Sequence, residues 1–92
     1  MNTLSLLTPN DTQQKLAITI KKKRKKLKLS RQALAEQSTV PATTIKKFET
    51  TAQISFRQFI LLWQCVDSLD NLYNLTLDLN EKPQSIDEVL KQ

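Results

Sequence analysis

LSRQALAEQSTVPATTIKKFE, residues 29–49, contains two short helical patterns separated by a tight turn. Ser30 suits an N-cap because its hydroxyl can accept a hydrogen bond from a backbone N–H two or three residues on. The predicted helix runs from Arg31 to about Gln37, with Ala33 and Leu34 on its buried side. Ser38-Thr39-Val40 forms the turn. Pro41 has a fixed φ and no N–H to donate, so it fits the first turn of a helix and pushes Val40 toward extended backbone. A further helix from Pro41 to about Thr50 then turns Ile45 and Phe48 inward and leaves Ala42, Thr43, Lys46 and Lys47 outward.

Helical patterns continue on both sides. Upstream, residues 1–11 form an arm ending at Asn10-Asp11, and Gln13 or Gln14 three residues on completes a capping box. The helix that follows spans about Thr12 to Leu27. Its apolar positions Leu16, Ile20 and Leu27 share a face with Arg24, so most of the run Lys21–Lys26 covers the outer side while Arg24 points inward. Downstream, Ser55 with Gln58 makes a capping box, and Ile54 with Phe59 a hydrophobic staple across it. Phe56, Phe59, Ile60, Leu62, Trp63 and Val66 make this the most apolar helix. Trp63 is expected to anchor a core or an interface, and Cys65 to be inert packing.

A fifth helix is predicted from Ser68 to about Leu75, with Leu69 and Leu72 inward. Leu75, Leu77 and Leu79 then alternate with Thr76 and Asp78, which fits either a short strand near 75–79 or a continuation of the helix. Pro83 breaks the chain, and Ser85 with Glu88 caps a last turn or two ending at Leu90. The expected fold is all-α: a five-helix domain over residues 12–75 with a short C-terminal tail, residues 76–92.

Composition narrows the function. Ninety-two residues supply one small domain, and the longest apolar stretch, Phe59 to Trp63, is far below the roughly 18 residues of a membrane span. No signal-peptide pattern precedes Lys15, so a cytoplasmic protein is expected. A chain without glycine has no P-loop, dinucleotide fingerprint or nucleophile elbow, each of which needs one. Without histidine, and with Cys65 alone, it has neither an imidazole base nor a Cys/His zinc set nor an intrachain disulfide. No enzyme activity, metal or cofactor is expected.

The net charge of +5 is unevenly spread. Residues 1–58 hold twelve basic side chains against three acidic ones, and the remainder holds two against six. The run KKKRKK alone fits a solvated helix face, a nuclear-localisation patch or a membrane-surface stripe. Beside two short helices and a turn, a segregated basic half fits a nucleic-acid partner, gathered through counterion release.

Residues 29–49 resemble, without a gap, the Xre and lambda-repressor-like family of helix-turn-helix DNA-binding domains. The matching positions are Leu29, Ala33 or Leu34, Ala35, Val40, Ile45, Phe48 and Glu49, and the five-helix plan extends the likeness over about residues 12–75. Thr39 stands where the family usually has a turn glycine, so a left-handed backbone is implied at a residue that disfavours it. The resemblance also implies an ion pair between Arg24 and Glu49, which would fix helix orientation more than it adds stability.

By this resemblance the helix opening at Pro41 enters the major groove. Arg31, Ala42, Thr43, Lys46 and Lys47 match base-reading positions: Arg31 or Lys47 can donate to guanine, and the methyls of Ala42 and Thr43 can meet thymine. Simple phosphate contact is the equal alternative for the lysines. Ser30 and Ser55 at helix starts, with Lys22, Lys28 and Arg57, are further phosphate candidates. A homodimer on a near-palindromic operator is expected, with Leu69, Leu72, Tyr73, Leu75, Leu77 and Leu79 as the candidate dimer contact, the alternative being that they only complete the monomer core. The short leucine-bearing tail and proline break look like HipB-type antitoxins, which partner a HipA-like kinase toxin. A stand-alone Xre-type regulator and a non-DNA interaction module are the alternatives.

Overall fold

Thr8, not Asn10 or Asp11, starts the first helix. Its Oγ1 accepts from the Asp11 N–H at 3.0 Å while Asp11 Oδ2 accepts from the Thr8 N–H at 3.2 Å, a reciprocal box three residues long. Pro9 then occupies the first helical turn, where its missing N–H leaves no bond unmade. The helix therefore begins three residues before Thr12.

The computed structural model describes residues 6–78. Helix α1 is Pro9–Lys26, α2 Arg31–Ser38, α3 Ala42–Thr51, α4 Phe56–Val66 and α5 Leu69–Tyr73, and a 3₁₀ turn follows at Asn74–Thr76. This is an all-α, five-helix domain. The strand considered for 75–79 does not form among the described residues: Leu75 sits inside the 3₁₀ turn, whose last bond runs from the Leu77 N–H to the Asn74 carbonyl at 3.2 Å. Leu79 and the capping box at Ser85 lie outside the described residues. Among the described residues no strand is present to pair with this short alternation of leucines.

Helices α1 and α2 each pack against both α3 and α4. The core consists of Ala17 and Ile20 from α1, Leu34 from α2, Val40 from the turn, Ile45 and Phe48 from α3, Ala52 after it, and Phe59, Leu62 and Val66 from α4. Phe48 and Phe59 meet edge to face, with ring centres 6.0 Å apart. The phase of α1 differs from expectation. Ala17, Ile20 and Arg24 form its buried stripe, while Leu16 is 37% and Leu27 51% exposed. Leu27 falls at the C-cap, just beyond the helix, and Leu16 sits at the edge of a stripe centred on its smaller neighbour. Phe56, expected to help make α4 apolar, is 77% exposed.

Three helix ends are closed by left-handed residues although no glycine is present: Lys28 at φ 59°, Thr39 at 66° and Ala52 at 64°. The Thr39 N–H closes on the Ala35 carbonyl at 2.9 Å and the Ala52 N–H on the Phe48 carbonyl at 2.8 Å, so each strained residue satisfies a helix-end acceptor. Ser38, the buried last residue of α2, accepts from the Val40 N–H through its hydroxyl at 3.1 Å. The left-handed state costs an L-residue about 1 kcal/mol or more. Thr39→Gly is therefore expected to stabilise the domain by about 0.5–1 kcal/mol, read as a higher urea midpoint at unchanged slope. A lowered midpoint would mean that the Thr39 hydroxyl, which donates to the Ser38 carbonyl, holds the turn.

Candidate nucleic-acid interface

Three helices converge on one carboxylate. Glu49 lies in the last turns of α3 with its side chain fully buried. Arg24 of α1 donates to it through Nε at 2.7 Å and Nη2 at 3.1 Å, and Arg31, the first residue of α2, donates through Nε at 3.0 Å. The third donor of Arg24, Nη1, goes to the Leu29 carbonyl at 2.8 Å, in the segment between α1 and α2. Burial pushes the Glu49 carboxyl up, but the hydrogen bonds and charges of Arg24 and Arg31 outweigh it and hold the group below the usual carboxylate range.

The pairing of Arg24 with Glu49 is thus present, and Arg31 joins it. Expected as a base reader, Arg31 has its Nε committed to Glu49 while about a third of its side chain stays exposed. Two guanidinium groups on one carboxylate leave a surplus positive charge at the start of α2. Nothing local in the sequence signals this contact, because Arg31 and Glu49 stand on different helices and meet only through packing.

On α3, Ile45 and Phe48 are buried, whereas Thr43, Lys46, Lys47 and Thr50 are exposed and Ala42 is half-buried. The spacing of Thr43, Lys46 and Lys47 puts them on one face of the helix, opposite the core. The carbonyls of Lys46 and Lys47 accept from the hydroxyls of Thr50 and Thr51, so the backbone of this face is satisfied within the helix. Lys22 on α1, Lys28 in the turn before Ser30, and Arg57 on α4 are also exposed.

Both serines cap their helices, but of the capping box expected at Ser55 only the serine half forms, since Gln58 Oε1 is bonded to the Ser55 hydroxyl and not to its backbone N–H. Ser30 Oγ accepts from the Ala33 N–H at 3.0 Å. Ser55 Oγ accepts from the Gln58 N–H at 3.1 Å and also donates to Gln58 Oε1 at 3.2 Å, so its hydroxyl is occupied within its own helix. Ser55 is the weaker phosphate candidate of the two.

A second polar cluster ties α1 to the far end of α4. Lys23 Nζ reaches Asp67 Oδ2 at 2.6 Å and lies 5.7 Å from the Trp63 ring centre. Trp63 Nε1 donates to the Ser68 carbonyl at 2.8 Å. Asp67 also accepts from the Ser68 N–H and from Asn71. The Lys23 hydrogen bond first, then those of Ser68 and Asn71, bring its carboxyl down to about 2. One lysine of the basic run therefore serves the fold and is not free for a ligand.

Of the residues put forward as a dimer contact, four lie together, Leu77 is not among them, and Leu79 is outside the described residues. Leu69, Leu72, Tyr73 and Leu75 line an apolar cleft with Phe56 and Ile60, two residues of α4 not expected there. Leu77 is half-buried. Among the described residues there is no cluster of three or more potential metal-ligating side chains, and no helix is long and apolar enough to cross a membrane. Comparison with protein-family models, with curated proteins and with solved structures finds no match to this chain.

Glu49→Gln keeps the side-chain shape but leaves two guanidinium groups, one of them buried, without a counter-charge. A loss of about 3–5 kcal/mol is expected in denaturant melts. The acid limb of stability has a definite sign. A depressed folded value means that Asp67 contributes above its ordinary 3.8 and that this contribution fades as pH falls through about 2. The Glu49 contribution is lost in the same direction. Asp67→Asn is expected to flatten the stability profile between about pH 4 and pH 2, and an unchanged slope in that window would show that the Lys23 contact contributes nothing in solution.

Proposed function

We propose that the chain is a sequence-specific reader of duplex DNA that represses transcription. The observation that carries this is the exposed face of α3, with Thr43, Lys46 and Lys47 clear of the core and the helix end anchored to its two neighbours through Glu49. A rigid helix with short and long polar side chains on its free face suits the major groove, where base edges carry an unambiguous donor and acceptor pattern. Exposed Lys22, Lys28 and Arg57 add phosphate contacts, and the third of the Arg31 side chain left exposed beside its bond to Glu49 reaches guanine or a neighbouring phosphate.

On this reading the protein works in the cytoplasm as a symmetric pair on a near-palindromic operator. The resemblance of residues 29–49 to Xre-type domains, with the composition of the tail, favours a HipB-like antitoxin that controls its own operon and holds a HipA-like kinase toxin.

The test is a footprint on the promoter upstream of its reading frame, with the affinity measured across salt. Binding is expected to weaken steeply as salt rises, with a strong preference for the promoter over scrambled duplex. Lys47→Ala combined with Thr43→Ala should erase that preference while sparing the fold. Lys22→Ala should instead weaken all duplexes alike and lower the salt slope by about 1. Equal affinity for promoter and scrambled duplex in the unaltered protein refutes the proposal.

A further inference from the structure

The fold absorbs only part of the run Lys21–Lys26. Arg24 is bound to Glu49 and Lys23 to Asp67, whereas Lys22, Lys25 and Lys26 are exposed, as is Lys15 earlier on the same helix. None of these four has an ion-pair partner among the described residues. The single acid of α1, Asp11, is spent on the cap at Thr8. Unpaired ammonium groups crowded on one helix repel one another, and an anionic partner relieves that repulsion.

Lys15, Lys22 and Lys26, seven and four residues apart, lie along one line of α1, and Lys25 borders it. Ala17, Ile20 and Arg24 occupy the opposite side, through which α1 packs against α3 and α4. Helix α3 in turn directs Ile45, Phe48 and the Glu49 carboxylate toward its neighbours and leaves Thr43, Lys46 and Lys47 outside. The two lysine faces therefore look out from opposite sides of the packed pair, and a straight duplex lying against α3 does not reach the stripe on α1. The phosphate contact of Lys22 then falls on a second segment of duplex.

The stripe from Lys15 to Lys26 is about 16 Å long at about 1.5 Å per residue. This matches about five phosphates of one DNA strand at about 3.4 Å each. An anionic membrane fits less well, because a helix that lies on lipid inserts an apolar face. That face of α1 is spent on the core, and the partly exposed Leu16 and Ile18 are too little to seat in lipid.

We propose that the outer face of α1 is a second, sequence-independent surface for duplex DNA. One copy then holds an operator on α3 and a further duplex segment on Lys15, Lys22, Lys25 and Lys26. The inference rests on the reading of α3 as the operator-binding helix.

The experiment uses the full chain, with the promoter duplex fixed to beads and a labelled duplex of scrambled sequence in solution. The protein is expected to carry the labelled duplex onto the beads at low salt and to release it before the promoter as salt rises, since only the promoter gains base contacts. Lys15→Gln with Lys25→Gln and Lys26→Gln keeps the helix propensity of these positions. This triple variant should lower the captured duplex by about tenfold or more and leave the promoter footprint unchanged. Equal capture by the variant overturns the proposal. Loss of the footprint along with capture does so too, because it puts all the lysines on one duplex. A promoter held on the beads with no labelled duplex beside it, and protein that sediments instead with phosphatidylserine vesicles, makes a membrane the partner and overturns this inference alone. Failure of the operator reading shows separately, as equal affinity of the unaltered protein for both duplexes, and sinks both.

Discussion

The carboxylate of Glu49 is the point on which the arrangement of helices depends. It is fully buried, and an isolated buried anion would be prohibitive, so α3 can end where it does only if cationic groups come to meet it. Arg24 arrives from α1 and Arg31 from α2, and the remaining donor of Arg24 fixes the Leu29 carbonyl between those two helices. One acidic group thereby sets the mutual positions of three helices, a task that apolar contacts, which lack direction, perform less well. The bidentate geometry of Arg24 matters here because the planar fork admits few orientations.

Around this anchor the chain compensates for its lack of glycine. The turns after α1, α2 and α3 each need a left-handed residue, and lysine, threonine and alanine fill them. The strain is tolerated because each turn is overdetermined by its surroundings. Leu29 follows Lys28 and packs against the core. Ser38 and Val40, on either side of Thr39, are buried, and Ala52 is itself in the core. Local penalties of about 1 kcal/mol apiece are small beside the burial of the aliphatic residues around them.

Much of this was legible in the sequence, and the limits have physical causes. Ser30, Pro41 and Ser55 mark helix starts because capping chemistry acts over two or three residues and so leaves a local trace. Ile45, Phe48, Phe59, Leu62 and Val66 follow from helical spacing. The inward Arg24 is visible as a charge out of place on an apolar face. The phase of α1 is not, because Ala17 carries a weaker hydropathic signal than Leu16 and yet is the one buried. Leu75 and Leu77 look like a strand only to a pattern that is too short to decide. At the candidate site, the free face of α3 could be read from periodicity. The Arg31 contact, the spent hydroxyl of Ser55 and the diversion of Lys23 to Asp67 are tertiary facts that no local pattern encodes.

The surroundings of Trp63 have a practical consequence. It is the sole tryptophan of the chain, and its indole touches three neighbourhoods at once: the Lys23 ammonium from α1, the Phe59 ring one turn earlier, and the Ser68 carbonyl at the entrance to α5. Any loosening of the α4–α5 junction alters the polarity and hydrogen bonding of that ring before the aliphatic centre is disturbed. The protein thus carries an intrinsic optical gauge of the junction between α4 and α5, free of added labels.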